Sequence, residues 1–180
     1  MGCDIHLFAE FGSGESSFNA LSDGQFLLRR DYGLFAALAG VRATKDFVPL
    51  ERPRGLPLDV SQHVADRYFL PVLDVETASS WAAGEYCTPA EACTLVDSGR
   101  SQWIPSGMTI PLFPSTHGYV SNPDWHSASW LAVHEVHRAL EHAHHPLESC
   151  FDDFQLLLVY LNAVVERKRS STRVVVWFDN

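Results

Sequence analysis

Two strand-like stretches stand at opposite ends of this 180-residue chain, and any fold has to accommodate both. Residues 3–11 alternate. Ile5, Leu7 and Ala9 fall on one side, and Asp4, His6, Phe8 and Glu10 fall on the other. Arg173-Val174-Val175-Val176-Trp177-Phe178 is rich in β-branched and aromatic residues and reads as a second strand. Helical patterns fill the space between. The distribution predicts an α+β fold, in which a small sheet contains the N- and C-terminal strands and about four or five helices pack on it, with a long irregular loop region. The first strand is expected to bury its Ile5 face. Antiparallel pairing of the two strands would bring Asp179 and Asn180 close to Asp4, and parallel pairing would keep them apart; the sequence leaves both open.

The helices announce themselves through their ends. Asp31 is placed to cap a short helix over 33–39 that Gly40 closes. A second helix starts near Asp59 or Ser61, with Val60, Val64 and Tyr68 as its inner stripe. Thr88-Pro89-Ala90-Glu91 has a capping threonine, a proline in the first helical position and a glutamate at the capping-box position, and that helix stops before Gly99. A helix over 131–145 turns Val133, Val136, Leu140 and Ala143 inward and ends at Pro146. The stretch 149–168 is apolar around most of its circumference and is expected to be central and buried, with cations at its C-terminal end. Residues 12–17 read as a loop, and a short strand is expected at Gln25–Leu28. Turn formers crowd 99–124, which predicts short irregular strands folded over the core. Residues 1–180 read as a single domain, with 70–122 an insertion or lid-like segment.

Apolar residues make up 46% and charged residues 19%, enough for a packed core and against global disorder. The formal charge of −9 gives no general attraction for nucleic-acid backbone or anionic lipid. No apolar run approaches the roughly 20 residues that cross a bilayer. No basic segment followed by an apolar run opens the chain, so a cytoplasmic location without membrane contact is expected. Four cysteines (Cys3, Cys87, Cys93, Cys150) form no C-x-x-C pair and are read as reduced thiols. No Walker, G-x-S-x-G, H-E-x-x-H or dinucleotide-binding glycine motif occurs.

Met1-Gly2-Cys3-Asp4-Ile5-His6 resembles the start of a family of small, largely uncharacterised proteins encoded by bacteriophages and prophages. Further blocks match in order: Arg30-Asp31-Tyr32-Gly33-Leu34-Phe35 with Leu38-Ala39-Gly40-Val41-Arg42, Pro53-Arg54-Gly55-Leu56-Pro57 with Asp59-Val60-Ser61, His126-Ser127-Ala128-Ser129-Trp130-Leu131, and Val175-Val176-Trp177-Phe178-Asp179-Asn180. Residues 70–122 have no counterpart. The resemblance implies a phage-type accessory protein of the host cytoplasm and no established activity. The chain departs from the pattern at Asp31, where the family has Asn, and at Ala128, where it has a second His.

Asp4 and His6 project together from one strand. The resemblance adds His126, and Asp4, His6 and His126 are the expected catalytic residues and the candidate ligands of a divalent metal. The competing reading is a buried Asp–His hydrogen bond that ties down the strand. Cys3 points to the Ile5 side and reads as a small buried residue. Arg54, in a rigid turn before a helix start, is a candidate anion ligand, with a structural arginine as the alternative. His134, His137 and His145 share one helix face with Glu141, for which a solvated polar face is the simpler account. The aromatic residues Trp81, Trp103, Phe113, Tyr119, Trp125 and Trp130 could stack bases or form a partner surface, although core plugs are commoner.

Together these readings predict one polar pocket. Asp4, His6, Arg54 and His126 line it, and Asp31, Asp179 and Asn180 are further ligand-binding candidates. It would bind, and in one version hydrolyse, a small anionic, nucleotide-like ligand. A rival reading is a non-enzymatic, anti-CRISPR-like counter-defence protein that occupies a host immune protein; another is a virion or assembly component.

Overall fold

The computed structural model describes residues 2–12, 18–21, 29–108, 116–168 and 170–179. The strand expected at Gln25–Leu28, most of the 12–17 loop and Asn180 lie outside the described residues. Strands β1 (Ile5–Gly12), β2 (Phe18–Ala20), β5 (His126–Ala132) and β6 (Thr172–Phe178) form an antiparallel sheet in the order β2-β1-β6-β5. Strands β3 (Phe69–Pro71) and β4 (Tyr119–Ser121) pair separately. The helices are α1 (Tyr32–Ala39), α2 (Gln62–Tyr68), α3 (Pro89–Asp97), α4 (Val133–His142) and α5 (Asp152–Lys168). The expected α+β class therefore holds, and the end strands are neighbours. Their antiparallel register sets His6 opposite Trp177 and Glu10 opposite Arg173.

Both faces of the sheet are covered. Leu7, Val174, Val176 and Phe178 meet Leu34, Phe35 and Leu38 of α1, Val136 and Leu140 of α4, and Phe154, Leu158 and Leu161 of α5. Phe8, Val175 and Trp177 meet Val64 of α2, Phe69 and Tyr119 on the other face. The expectation of one buried face on β1 is thus too narrow, since Phe8 and Glu10 are as enclosed as Leu7.

Glu10 is buried because its charge is answered. Arg173 donates to it from Nε at 2.7 Å, and the Ser61 backbone amide donates to its other oxygen at 2.8 Å. Arg173 also donates to the Asp59 carboxylate at 2.7 Å and to the Asp59 carbonyl at 3.1 Å. Ser61 in turn caps α2, with its hydroxyl accepting from the Val64 amide. One buried ion pair between the end strands thereby fixes where α2 begins.

The ends of α1 and α3 follow the sequence signals. Asp31 caps α1, Gly40 closes it in the left-handed region at φ 70°, and Thr88 and Glu91 form a full capping box. Two expectations are corrected. The helix expected over 131–145 begins at Val133, because 126–132 is an edge strand with a register shift after His126 and a left-handed Ser127 (φ 53°). Helix α5 begins at Asp152 rather than 149 and is not buried all round: Leu156, Val159 and Tyr160 are 66%, 63% and 52% exposed. The 70–122 segment carries a small core of its own, Val72, Cys87, Ala92 and Val120, and Trp103 bridges to Val120.

Candidate functional site

The antiparallel pairing builds a polar edge from β1 and the residue after β6. Asp179 accepts from the Asp4 amide at 3.0 Å and lies 3.2 Å from His6 Nε2. Asp179, not Asp4, is therefore the carboxylate that orients this imidazole. Asp4 is turned to Arg30, which grips both of its oxygens at 2.6 and 3.0 Å and holds its carboxyl below the usual range. His6 rests against Trp125, with centroids 4.4 Å apart, and stacks on Trp177. Among the described residues, the buried indole nitrogens of Trp125 and Trp177 have no hydrogen-bond partner.

The other expected residues are elsewhere. His126 stacks on Phe178, which belongs to the face covered by α1, α4 and α5, whereas His6 stacks on Trp177 of the opposite face. Asp4, His6 and His126 do not bring three ligand atoms within 4.8 Å of one another. Arg54 sits at the far end of the sheet, beside Trp130 and Ala132 of β5. Its guanidinium donates to both oxygens of Glu135 at 2.9 and 2.7 Å, approaches Glu51 at 3.0 Å and covers the Trp130 ring. Two carboxylates already answer its charge, so Arg54 locks a loop to β5 and α4 instead of waiting for an anion. The single shared pocket is not assembled.

That lock is pH-sensitive. The Arg54 hydrogen bond holds the Glu135 carboxyl below its ordinary range. A carboxyl lowered in the folded state stabilises the fold above its unfolded value, about 4.3, and loses that contribution as the pH falls through the folded value. Glu135→Gln is expected to cost at most about 1 kcal/mol at neutral pH. Its deficit against wild type should shrink on acidification. A deficit that stays constant in urea titrations from about pH 6 to pH 3 would remove the pair from the acid response.

Asp31 belongs to a third place. One oxygen caps α1 by accepting from the Leu34 amide at 3.0 Å, and the other lies 3.1 Å from His145 Nε2. Cys150 completes a cluster whose three ligand atoms lie within 4.8 Å of one another. Burial, with Asp31 and Glu148 nearby, pushes the Cys150 thiol up to about 12, and burial likewise raises Cys3 and Cys87. None of these three thiols is a ready nucleophile.

The 70–122 segment closes a cleft over α2. Its volume is about 530 Å³, within the usual range for small-molecule sites. His63, Asp66 and Arg67 come from α2; Trp81, Glu85, Tyr119 and Asn122 come from the segment and its edge. Asp66 accepts from Gln62 at 2.5 Å, and Arg67 forms no ion pair among the described residues. His63 packs edge-on to Phe8, and its buried Nε2 has no hydrogen-bond partner among the described residues. His63, Asp66 and Arg67 carry no motif in the sequence; their one signal is three ionisable residues on a helix next to an aromatic-bearing insertion.

No family model, curated protein or solved structure matches the chain. Among the described residues, no helix is long and apolar enough to cross a membrane.

Proposed function

We propose that this protein binds a small anionic, nucleotide-like ligand in the cleft between α2 and the 70–122 segment. The observation that carries the reading is a 530 Å³ cleft lined by His63, Trp81 and Arg67, whose guanidinium forms no ion pair among the described residues. Arg67 offers a fork for phosphate or carboxylate oxygens. Trp81 offers a flat face to a base. The reading is one of binding. The His6–Asp179 pair lies outside this lining, and its part is to anchor the two end strands. The block resemblance to phage-encoded proteins supplies the setting, a host cytoplasm.

The experiment is a melting-temperature screen of the full chain against ribonucleoside mono- and triphosphates, with inorganic phosphate as a separate arm and Trp fluorescence as a second readout. A ligand at 100 times its Kd adds about 2.7 kcal/mol to the folded state, a shift of several degrees. Arg67→Ala is expected to weaken the best compound at least tenfold. The reading fails if no compound shifts the wild type, or if the shift survives Arg67→Ala unchanged.

One observation favours a second reading, a counter-defence protein that occupies a host immune protein. Leu156, Val159 and Tyr160 leave an apolar face of α5 exposed, and the chain's net charge of −9 suits a partner with a basic rim. In that case Leu156→Asp, and not Arg67→Ala, would abolish protection of a phage in infected cells.

A further inference from the structure

We infer that Asp31, His145 and Cys150 form a binding site for one zinc-class divalent cation, on the helix-covered side of the sheet and independent of the cleft. A carboxylate oxygen, an imidazole nitrogen and a thiol sulfur converge within 4.8 Å from three different segments: the cap of α1, the turn after α4 and the connection two residues before α5. Zinc takes these ligands at about 2.0–2.3 Å, which places tetrahedral ligand atoms about 3.5 Å apart. The Asp31–His145 distance of 3.1 Å is already close to that value, and the sulfur has only to draw in by about 1 Å. A mixed sulfur, nitrogen and oxygen set suits zinc, and disfavours magnesium or calcium, which want oxygen alone.

The surroundings hold the ligands in place. The Asp31 oxygen that caps α1 fixes the carboxylate and leaves the other oxygen facing His145. His144 takes a left-handed conformation (φ 50°), which turns the chain off α4 and brings His145 back across α1. The imidazole then lies over Gly33, where a Cβ would sit 2.5 Å from its Nδ1. Glycine is needed there for space. Gln155 donates to the Cys150 carbonyl at 2.7 Å and steadies the third segment.

A thiol, imidazole and carboxylate could instead form a proton relay, but a relay keeps the imidazole between the other two groups. Here the sulfur and the carboxylate oxygen are themselves within 4.8 Å, so the three groups converge on a point. On binding, the thiol proton leaves to solvent and the thiolate bonds to the cation; His145 ligates through Nε2 with its ring proton on Nδ1. Cys150 also lines a cavity of about 360 Å³ with Arg29, Phe151, Asp152 and Asp153; a water is the expected fourth ligand.

The test is a titration of the reduced, chelator-treated full chain with cobalt(II). The expected result is one equivalent bound, with a sulfur-to-cobalt charge-transfer band in the near ultraviolet and tetrahedral visible bands. Cys150→Ser should abolish the charge-transfer band. Asp31→Asn, which keeps the helix cap, and Gly33→Ala, which displaces the ring, should each weaken binding about 10- to 100-fold. Cys93→Ser, at the exposed thiol, should leave the spectrum unchanged. Absence of the band in the wild type overturns the site, and so does its survival in Cys150→Ser; the wild-type titration decides even if a variant fails to fold.

Discussion

Replacing Glu10 with alanine is expected to destabilise the fold by about 3–5 kcal/mol, because it leaves the Arg173 guanidinium buried with half of its partners gone. Glu10 is fully buried and Arg173 is 4% exposed. The same substitution strips the Ser61 amide of its acceptor, and Ser61 is the residue that starts α2. The damage should therefore reach His63 and Arg67. Urea denaturation of Glu10→Ala would measure the loss. Joint replacement, Glu10→Leu with Arg173→Met, removes both charges together and should cost much less than Glu10→Ala alone. A loss below about 1 kcal/mol for Glu10→Ala would show that the pair is incidental to stability.

Trp177→Ala should be as severe, at about 3–5 kcal/mol, since it empties the centre of the aromatic layer. Trp177 is 1% exposed and touches His6, Phe8, Tyr68 and Trp125. Trp177→Phe isolates the indole N–H from the ring. That N–H has no hydrogen-bond partner among the described residues, so its removal forfeits packing alone and should cost under about 1.5 kcal/mol. Thermal denaturation of the two variants side by side gives both numbers. A phenylalanine variant as unstable as the alanine one would mean that the N–H is satisfied in solution.

The end strands and the caps of α1 and α3 were legible because their signals are local: alternation along 3–11, a β-branched run at 174–176, and Thr88 with Glu91. The second buried face of β1 was hidden because alternation assigns a charged residue outward. Glu10 goes inward on account of a partner 163 residues away. Strand β5 was hidden by its bulge and by small residues with little strand propensity. Helix α5 misled for a different reason. A helix apolar on every side reads the same whether each side meets the core or one side is left open.

The candidate site was legible only in parts. Asp4, His6 and Asp179 are gathered because one hydrogen-bond register brings the chain's extremes together. Arg54 was a fair candidate by type, but its carboxylate partners Glu51 and Glu135 are fixed by tertiary structure. His145 was assigned to a helix face along with His134 and His137. The helix actually ends at His142, and the left-handed residue 144 sends His145 to Asp31. No periodicity records a turn of that kind, because it depends on the space that Gly33 leaves.

The central pairing of β1 with β6 also dictates a timetable. During synthesis, β1 emerges well before its partner, with Glu10 and Arg173 separated by 163 residues, so the layer beneath Leu7 and Phe8 stays open until residues 172–178 clear the ribosome. Contacts of that sequence separation close slowly, and the waiting apolar strand is exposed to misassociation meanwhile. A nascent chain arrested just short of residue 172 should therefore remain sensitive to protease, whereas release of the last strand should confer resistance at one step.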